Sequence, residues 1–191
     1  GGVIIDIDYQ RCIAAFEKLG MTDFSLWYSQ LRQGNLFDDL ETGRISPEIF
    51  RGEIRKALGK PVSDDLIDDA WNAILLRLRP EKVRQLRELK KKYRLFLLSN
   101  TNIIHEEEFT RRIIEDYGHN ILPELFERIY FSHLINLRKP HTEIFEFVLE
   151  DNGLNAEETL FVDDSPQHVE GARKAGLQVL HYTHEMRLDE L

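Results

Sequence analysis

The stretch LFVDDSPQHVEGARKAG, residues 160–176, decides the fold. A short apolar run, Thr159-Leu160-Phe161-Val162, ends in two adjacent acids, Asp163 and Asp164. Ser165-Pro166 then opens a segment that runs to Ala175 and stops at Gly176. Pro at a first helical turn and Gly just past the last turn are the expected punctuation of a helix. The stretch therefore reads as strand, acidic turn, helix. The run is continuous rather than alternating in polarity, as in a parallel strand covered on both faces.

Working outward, the same unit recurs. Arg94-Leu95-Phe96-Leu97-Leu98, Arg128-Ile129-Tyr130-Phe131 and Gln178-Val179-Leu180-His181-Tyr182 read as further buried strands. Pro80–Lys92 and Thr142–Asp151 read as helices between them, the second closed by Asn152-Gly153. Alternating strand and helix predicts an α/β fold, a Rossmann-like doubly wound parallel sheet with right-handed crossovers. Residues 9–79 differ: their apolar spacing is helical throughout, as in Cys12-Ile13-Phe16-Leu19, Phe24-Leu26-Trp27-Leu31, Ile49-Phe50-Ile54-Leu58 and Leu66-Ile67-Ala70-Trp71-Ile74-Leu75. Ser46 and Ser63, each followed by acids, are the expected helix N-caps. The chain thus divides into an α/β core, residues 1–8 and 80–191, and an inserted helical-bundle cap, residues 9–79. Phe37, Trp27, Trp71 and Tyr28 fall in the cap's apolar pattern and read as bundle core. Residues around Gly34–Gly43 are candidates to face the site.

Composition narrows the function. The chain has 191 residues, 42% hydrophobic and 31% charged, with a formal net charge of −9. An acidic balance argues against a nucleic-acid partner, which needs a basic face. The run Lys90-Lys91-Lys92 reads as the end of a helix, where cations meet the negative pole. No apolar stretch has membrane-spanning length. The single cysteine, Cys12, reads as a buried spacer and fits a reducing, cytoplasmic setting.

Ligands of open parallel sheets bind at the carboxyl ends of strands. There the sequence offers Ser99-Asn100 after one strand, Lys139 after the next and Asp163-Asp164 after the third. A hydroxyl, an ammonium and paired carboxylates on one edge suit a phosphate held by Ser99 and Lys139 beside Mg²⁺ held by the acids. His168 reads either as a group supporting the site from behind or, by preference, as the first turn of a helix, and metal binding by His181 and His184 is not expected, because they straddle a strand end.

These residues carry a family resemblance. LFLLSNTN (95–102), LRKPHTEIF (137–145) and LFVDDSPQHVEGARKAG resemble the second, third and fourth motifs of the haloacid dehalogenase (HAD) superfamily. The likeness is closest to the branch of glucose-1-phosphate phosphatases and the phosphatase domain of epoxide hydrolases. It implies a Mg²⁺-dependent phosphatase that acts on a small phosphorylated metabolite, a sugar phosphate in the first instance, through an aspartyl-phosphate. It also implies site roles: Ser99, with the Asn100 backbone alongside, for the phosphoryl oxygens; Lys139 for charge neutralisation; Asp164 and the Gly1 carbonyl for the metal; and Asp163 to orient the site or bind a metal water. Gly1-Gly2-Val3-Ile4-Ile5-Asp6 resembles the tail of the first motif, which puts the nucleophilic aspartate and its strand ahead of Gly1 and Asp8 at the start of the cap. The other placement makes Asp6 the nucleophile and Asp8 the acid/base, but no Gly follows Asp8 to let backbone N–H groups approach a phosphate. Gly1 then stands where most relatives carry an acid/base Asp. The rivals are a metal-independent 2-haloacid dehalogenase and a non-catalytic phosphometabolite-binding protein. A monomer or homodimer is expected, with no nucleic-acid or membrane partner.

Overall fold

The computed structural model describes residues 1–21 and 35–190. The expected helix over Phe24–Leu31, with Trp27 and Tyr28, lies outside the described residues. Helix α1 (Tyr9–Lys18) starts at Asp8, whose carboxylate accepts from the N–H groups of Gln10 and Arg11. Three more helices follow, α2 (Leu36–Glu41), α3 (Pro47–Leu58) and α4 (Asp64–Asn72). Ser46 and Ser63 cap α3 and α4 through Ile49 N–H and Leu66 N–H, as their sequence positions require. Phe16, Phe50, Ile54 and Ile67 are 0–1% exposed at the centre of this bundle. Burial of each such side chain contributes about 1.5–3 kcal/mol.

The second part alternates strand and helix: α5 (Pro80–Lys90), β1 (Phe96–Ser99), α6 (Ile103–Tyr117), α7 (Leu122–Leu125), β2 (Arg128–Phe131), α8 (Ser132–Ile135), α9 (Thr142–Asn152), β3 (Leu160–Asp163), α10 (Pro166–Lys174) and β4 (Gln178–His181). The parallel strands follow the expected runs, but the sheet departs from a single ladder. Among the described residues β1 pairs with β2, and β3 with β4, as two separate parallel ladders. A side chain rather than backbone joins them: Lys139 reaches the Leu98 carbonyl on β1 and the Asp163 carboxylate on β3.

Two features tie the bundle to the α/β part. Ile7 bridges Leu75 antiparallel, with Asp8 N–H donating to Ile74 O and Leu76 N–H to Asp6 O. An aromatic column continues across the boundary: Phe37 stacks on Trp71 at 5.2 Å, and Trp71 stacks on His105 of α6 at 4.9 Å. Phe37 and Trp71 are thus packed within the bundle, as their spacing predicts.

Candidate active site

The ends of β1 and β3 and the loop after α8 converge. Lys139 Nζ lies 2.6 Å from Asp163 Oδ2 and 3.2 Å from the Leu98 carbonyl, with both charged side chains 6% exposed. An ammonium has three N–H donors, so these two acceptors leave one for a ligand. Asp163 Oδ1 accepts from Ser165 N–H and from the His168 ring, each at 2.9 Å. Burial pushes the Asp163 carboxyl up, but the His168 hydrogen bond and the Lys139 charge outweigh it and hold the group well below the usual carboxylate range. Both oxygens of Asp163 are thus engaged by protein donors. The pair fixes the direction of the Lys139 ammonium, in keeping with the expectation that Asp163 orients the site. His168 lies in the first turn of α10, and its ring is part of this network.

Asn100 braces the same loop. Its side chain donates to the Lys139 carbonyl and accepts from the Lys139 N–H, both at 2.9 Å. This two-way amide clamp fixes the lysine loop and leaves ligand contact to the backbone. Ser99 closes β1, one residue past the carbonyl that Lys139 reaches, and its hydroxyl makes only a 3.4 Å contact to Asn100 O. The hydroxyl is thus available to a ligand. On the far side α10 lies against the same loop. A Cβ on Gly171 would come within 2.1 Å of Pro140 O, so only glycine permits this approach.

Asp164 is the counterpart to Asp163. Among the described residues its carboxylate has no hydrogen bond or ion pair, and it faces the start of the chain. A Cβ on Gly2 would sit 2.0 Å from Asp164 Oδ2, and Gly2 has φ +82°. The Gly1 nitrogen lies within electrostatic reach of Lys139, Asp164, Asp163 and Glu41. Asp6 is elsewhere, paired with Arg79 at 2.9 Å beside the Ile7–Leu75 bridge. The geometry therefore brings Gly1-Gly2, and not Asp6, to the strand ends. A half-buried carboxylate without partners, beside a backbone approach, suits a hard cation that completes its shell with water and phosphate. No cluster of three His, Cys, Asp or Glu side chains stands among the described residues, so a closed protein cage is not the fit.

One part of the site was invisible in the sequence. Arg138, next to Lys139, pairs with Asp38 and, at 2.8 Å, with Glu41 of α2. Asn136 donates to Thr42 O at 2.7 Å. Glu41 also senses His168 and Gly1, and burial pushes its carboxyl above the ordinary range more than Arg138 draws it down. Among the described residues of the 34–43 stretch, Glu41 is near enough to His168 for their charges to interact. The only signal for it was its place in an acidic helical turn. Cys12 is buried and its thiol is pushed up to about 12 by desolvation, so it is no nucleophile. His181 binds the Asp164 carbonyl at 3.1 Å, and His184 lies 4.0 Å from Asp6, so the two do not form a metal pair. No helix among the described residues is long and apolar enough to cross a membrane.

Several known proteins are similar to this chain. A D-ribitol-5-phosphate phosphatase of Bacteroides thetaiotaomicron is 30% identical over 178 residues, 93% of this chain and 86% of that protein. The sesquiterpene phosphatase astK of Aspergillus oryzae is 29% identical over 148 residues, 77% of this chain and 72% of that one. The HAD family enzyme bt-2542 of B. thetaiotaomicron, solved with magnesium and inorganic phosphate, superposes with a TM-score of 0.88 at 35% identity. That match covers 97% of this chain and 92% of that one. The sequence pattern of haloacid dehalogenase-like hydrolases matches residues 8–176, and the chain belongs to that family of hydrolases.

Proposed function

We propose that this protein is a Mg²⁺-dependent phosphatase that hydrolyses a small phosphorylated polyol or sugar. The observation that carries the reading is the buried Lys139–Asp163 pair at the strand ends, beside the unpartnered Asp164 carboxylate. Lys139 offers its remaining N–H to a phosphoryl oxygen and offsets negative charge as the ester bond breaks. Asp163 and the Asn100 clamp fix where that ammonium points, and Ser99 supplies a hydroxyl donor. Asp164, with the Gly1 carbonyl, would hold magnesium, which when bound supplies Lewis-acid neutralisation of phosphoryl charge. The motif resemblance gives attack by an aspartate and an aspartyl-phosphate, which water then hydrolyses. The bt-2542 complex with magnesium and phosphate and the ribitol-phosphate phosphatase support the metal and the substrate class. A metal-independent dehalogenase would have no use for a carboxylate left free beside Gly2. The lone buried cysteine fits a reducing compartment such as the cytoplasm.

The test is phosphate release from a panel of polyol and sugar phosphates, including D-ribitol-5-phosphate, by the full-length polypeptide. Turnover should require Mg²⁺ and vanish on chelation. A panel without phosphate release, or release indifferent to chelator, would overturn the reading.

A further inference from the structure

The phosphatase reading leaves Glu41 unused, and its surroundings are unusual. It ends α2, and α2 is fixed on the core by Arg138 and Asn136, within three residues of Lys139. Glu41 is therefore held in a set relation to the phosphate-binding ammonium. Arg138 contacts it directly, and the charge of His168 acts on it from a separate stretch. Yet Glu41 Oε2 is buried without a hydrogen bond, although it lies 2.8 Å from Arg138 Nη2. That contact is an ion pair whose direction does not make a hydrogen bond. Arg138 Nε is likewise buried and unbonded. A carboxylate has about four acceptor positions. A buried one left short of donors carries an uncompensated desolvation cost, which a ligand donor brought to it on binding would offset.

A phosphate dianion cannot be that donor, since like charges repel. An ammonium would meet Arg138, which already balances the carboxylate. A neutral hydroxyl meets neither objection. We propose that Glu41 selects hydroxylated leaving groups: its carboxylate accepts a hydrogen bond from a hydroxyl on the substrate's carbon chain, near the phosphate ester. The inference rests on the phosphatase reading and names what that site prefers. A bare alkyl or terpenoid chain would leave Oε2 buried and unpaired. A site built to bond a hydroxyl strongly rejects the analogue that lacks it.

The experiment compares kcat/KM for a pentitol phosphate, n-pentyl phosphate and p-nitrophenyl phosphate, using full-length protein with Mg²⁺. Wild type, Glu41→Leu, Glu41→Gln and Asp38→Asn are measured, with melting temperatures to verify folding. Glu41→Leu should lower pentitol phosphate turnover about 10–100-fold more than pentyl phosphate turnover, chiefly through KM. Glu41→Gln, which keeps one acceptor and the shape, should lose less and guards against a Leu variant that fails to fold. Asp38→Asn, which removes the other partner of Arg138, should leave the pentitol-to-pentyl ratio in place. An equal fall on all three esters would mean that Glu41 only holds Arg138, and would overturn the inference. So would an equal fall on both alkyl esters with p-nitrophenyl phosphate spared, which would mark a proton donor. Wild-type protein that releases no phosphate from any of the three would instead defeat the phosphatase reading itself.

Discussion

The two ends of the candidate site differ in how their charges are satisfied. At the strand ends, Asp163 has a donor on each oxygen, and Lys139 has a carboxylate and a carbonyl in hand. At the cap end, Glu41 Oε2 and Arg138 Nε are buried without hydrogen bonds. The first end is preorganised: its geometry is set by the protein whatever the ligand. The second is completed by what binds. Chemistry common to phosphate monoesters belongs at the first, and choice among them at the second.

The hardest blow to the preorganised end is Lys139→Met. It leaves Asp163 as a buried carboxylate without its main counter-charge, a loss of about 3–5 kcal/mol of stability. Phosphate release should fall by about a thousandfold or more, since the ammonium meets the charge that develops in the transition state. Thermal melting and initial rates measure both, and a variant that melts and turns over like wild type would erase the contrast between the ends. Gly171→Ala is subtler. Its Cβ would need the space of Pro140 O, 2.1 Å away, and should cost about 1–3 kcal/mol while displacing the Lys139 loop. Activity should fall on every ester alike, because the shift acts at the phosphoryl end.

The smallest effect separates the regions by pH. Desolvation against Trp71 holds the His105 ring down to about 4, against 6.5 for the free side chain. Between those values the unfolded chain binds a proton that the folded chain refuses, so stability falls as pH drops through that window. Asp163, held low, keeps its charge there. His105→Gln should flatten this dependence by about 2 kcal/mol, read from melting at pH 7 and pH 4.5. An unchanged slope would remove His105 from the cap–core contact.

The sequence made legible what is decided within four or five residues. Ser46 and Ser63 were readable as caps because an N-cap bond spans three positions. The strand and helix around Asp163-Asp164 were readable for the same reason: apolar runs and Pro/Gly punctuation are local. The 15-residue helix α6 is not marked out by its sequence, since its mixed charges and half-buried face blur the period. The bond of His168 to Asp163 spans five positions, but one helical turn with a histidine gives no direction for its ring. The Asn100 clamp spans 39 positions, and the Arg138 pairs join α2 to a loop far along the chain. Such contacts follow from how elements dock, and no local pattern encodes them.

The seam at Ile7 and Leu75 has a consequence for the protein's history. The polypeptide leaves the α/β part and returns to it through one doorway, with the outgoing and incoming threads already side by side. The described helices between them, α1 to α4, are entered and left at that one seam. A recombination event that replaced them would need only two junctions, a few ångströms apart, and could retune the choice of metabolite while the hydrolytic machinery was inherited intact.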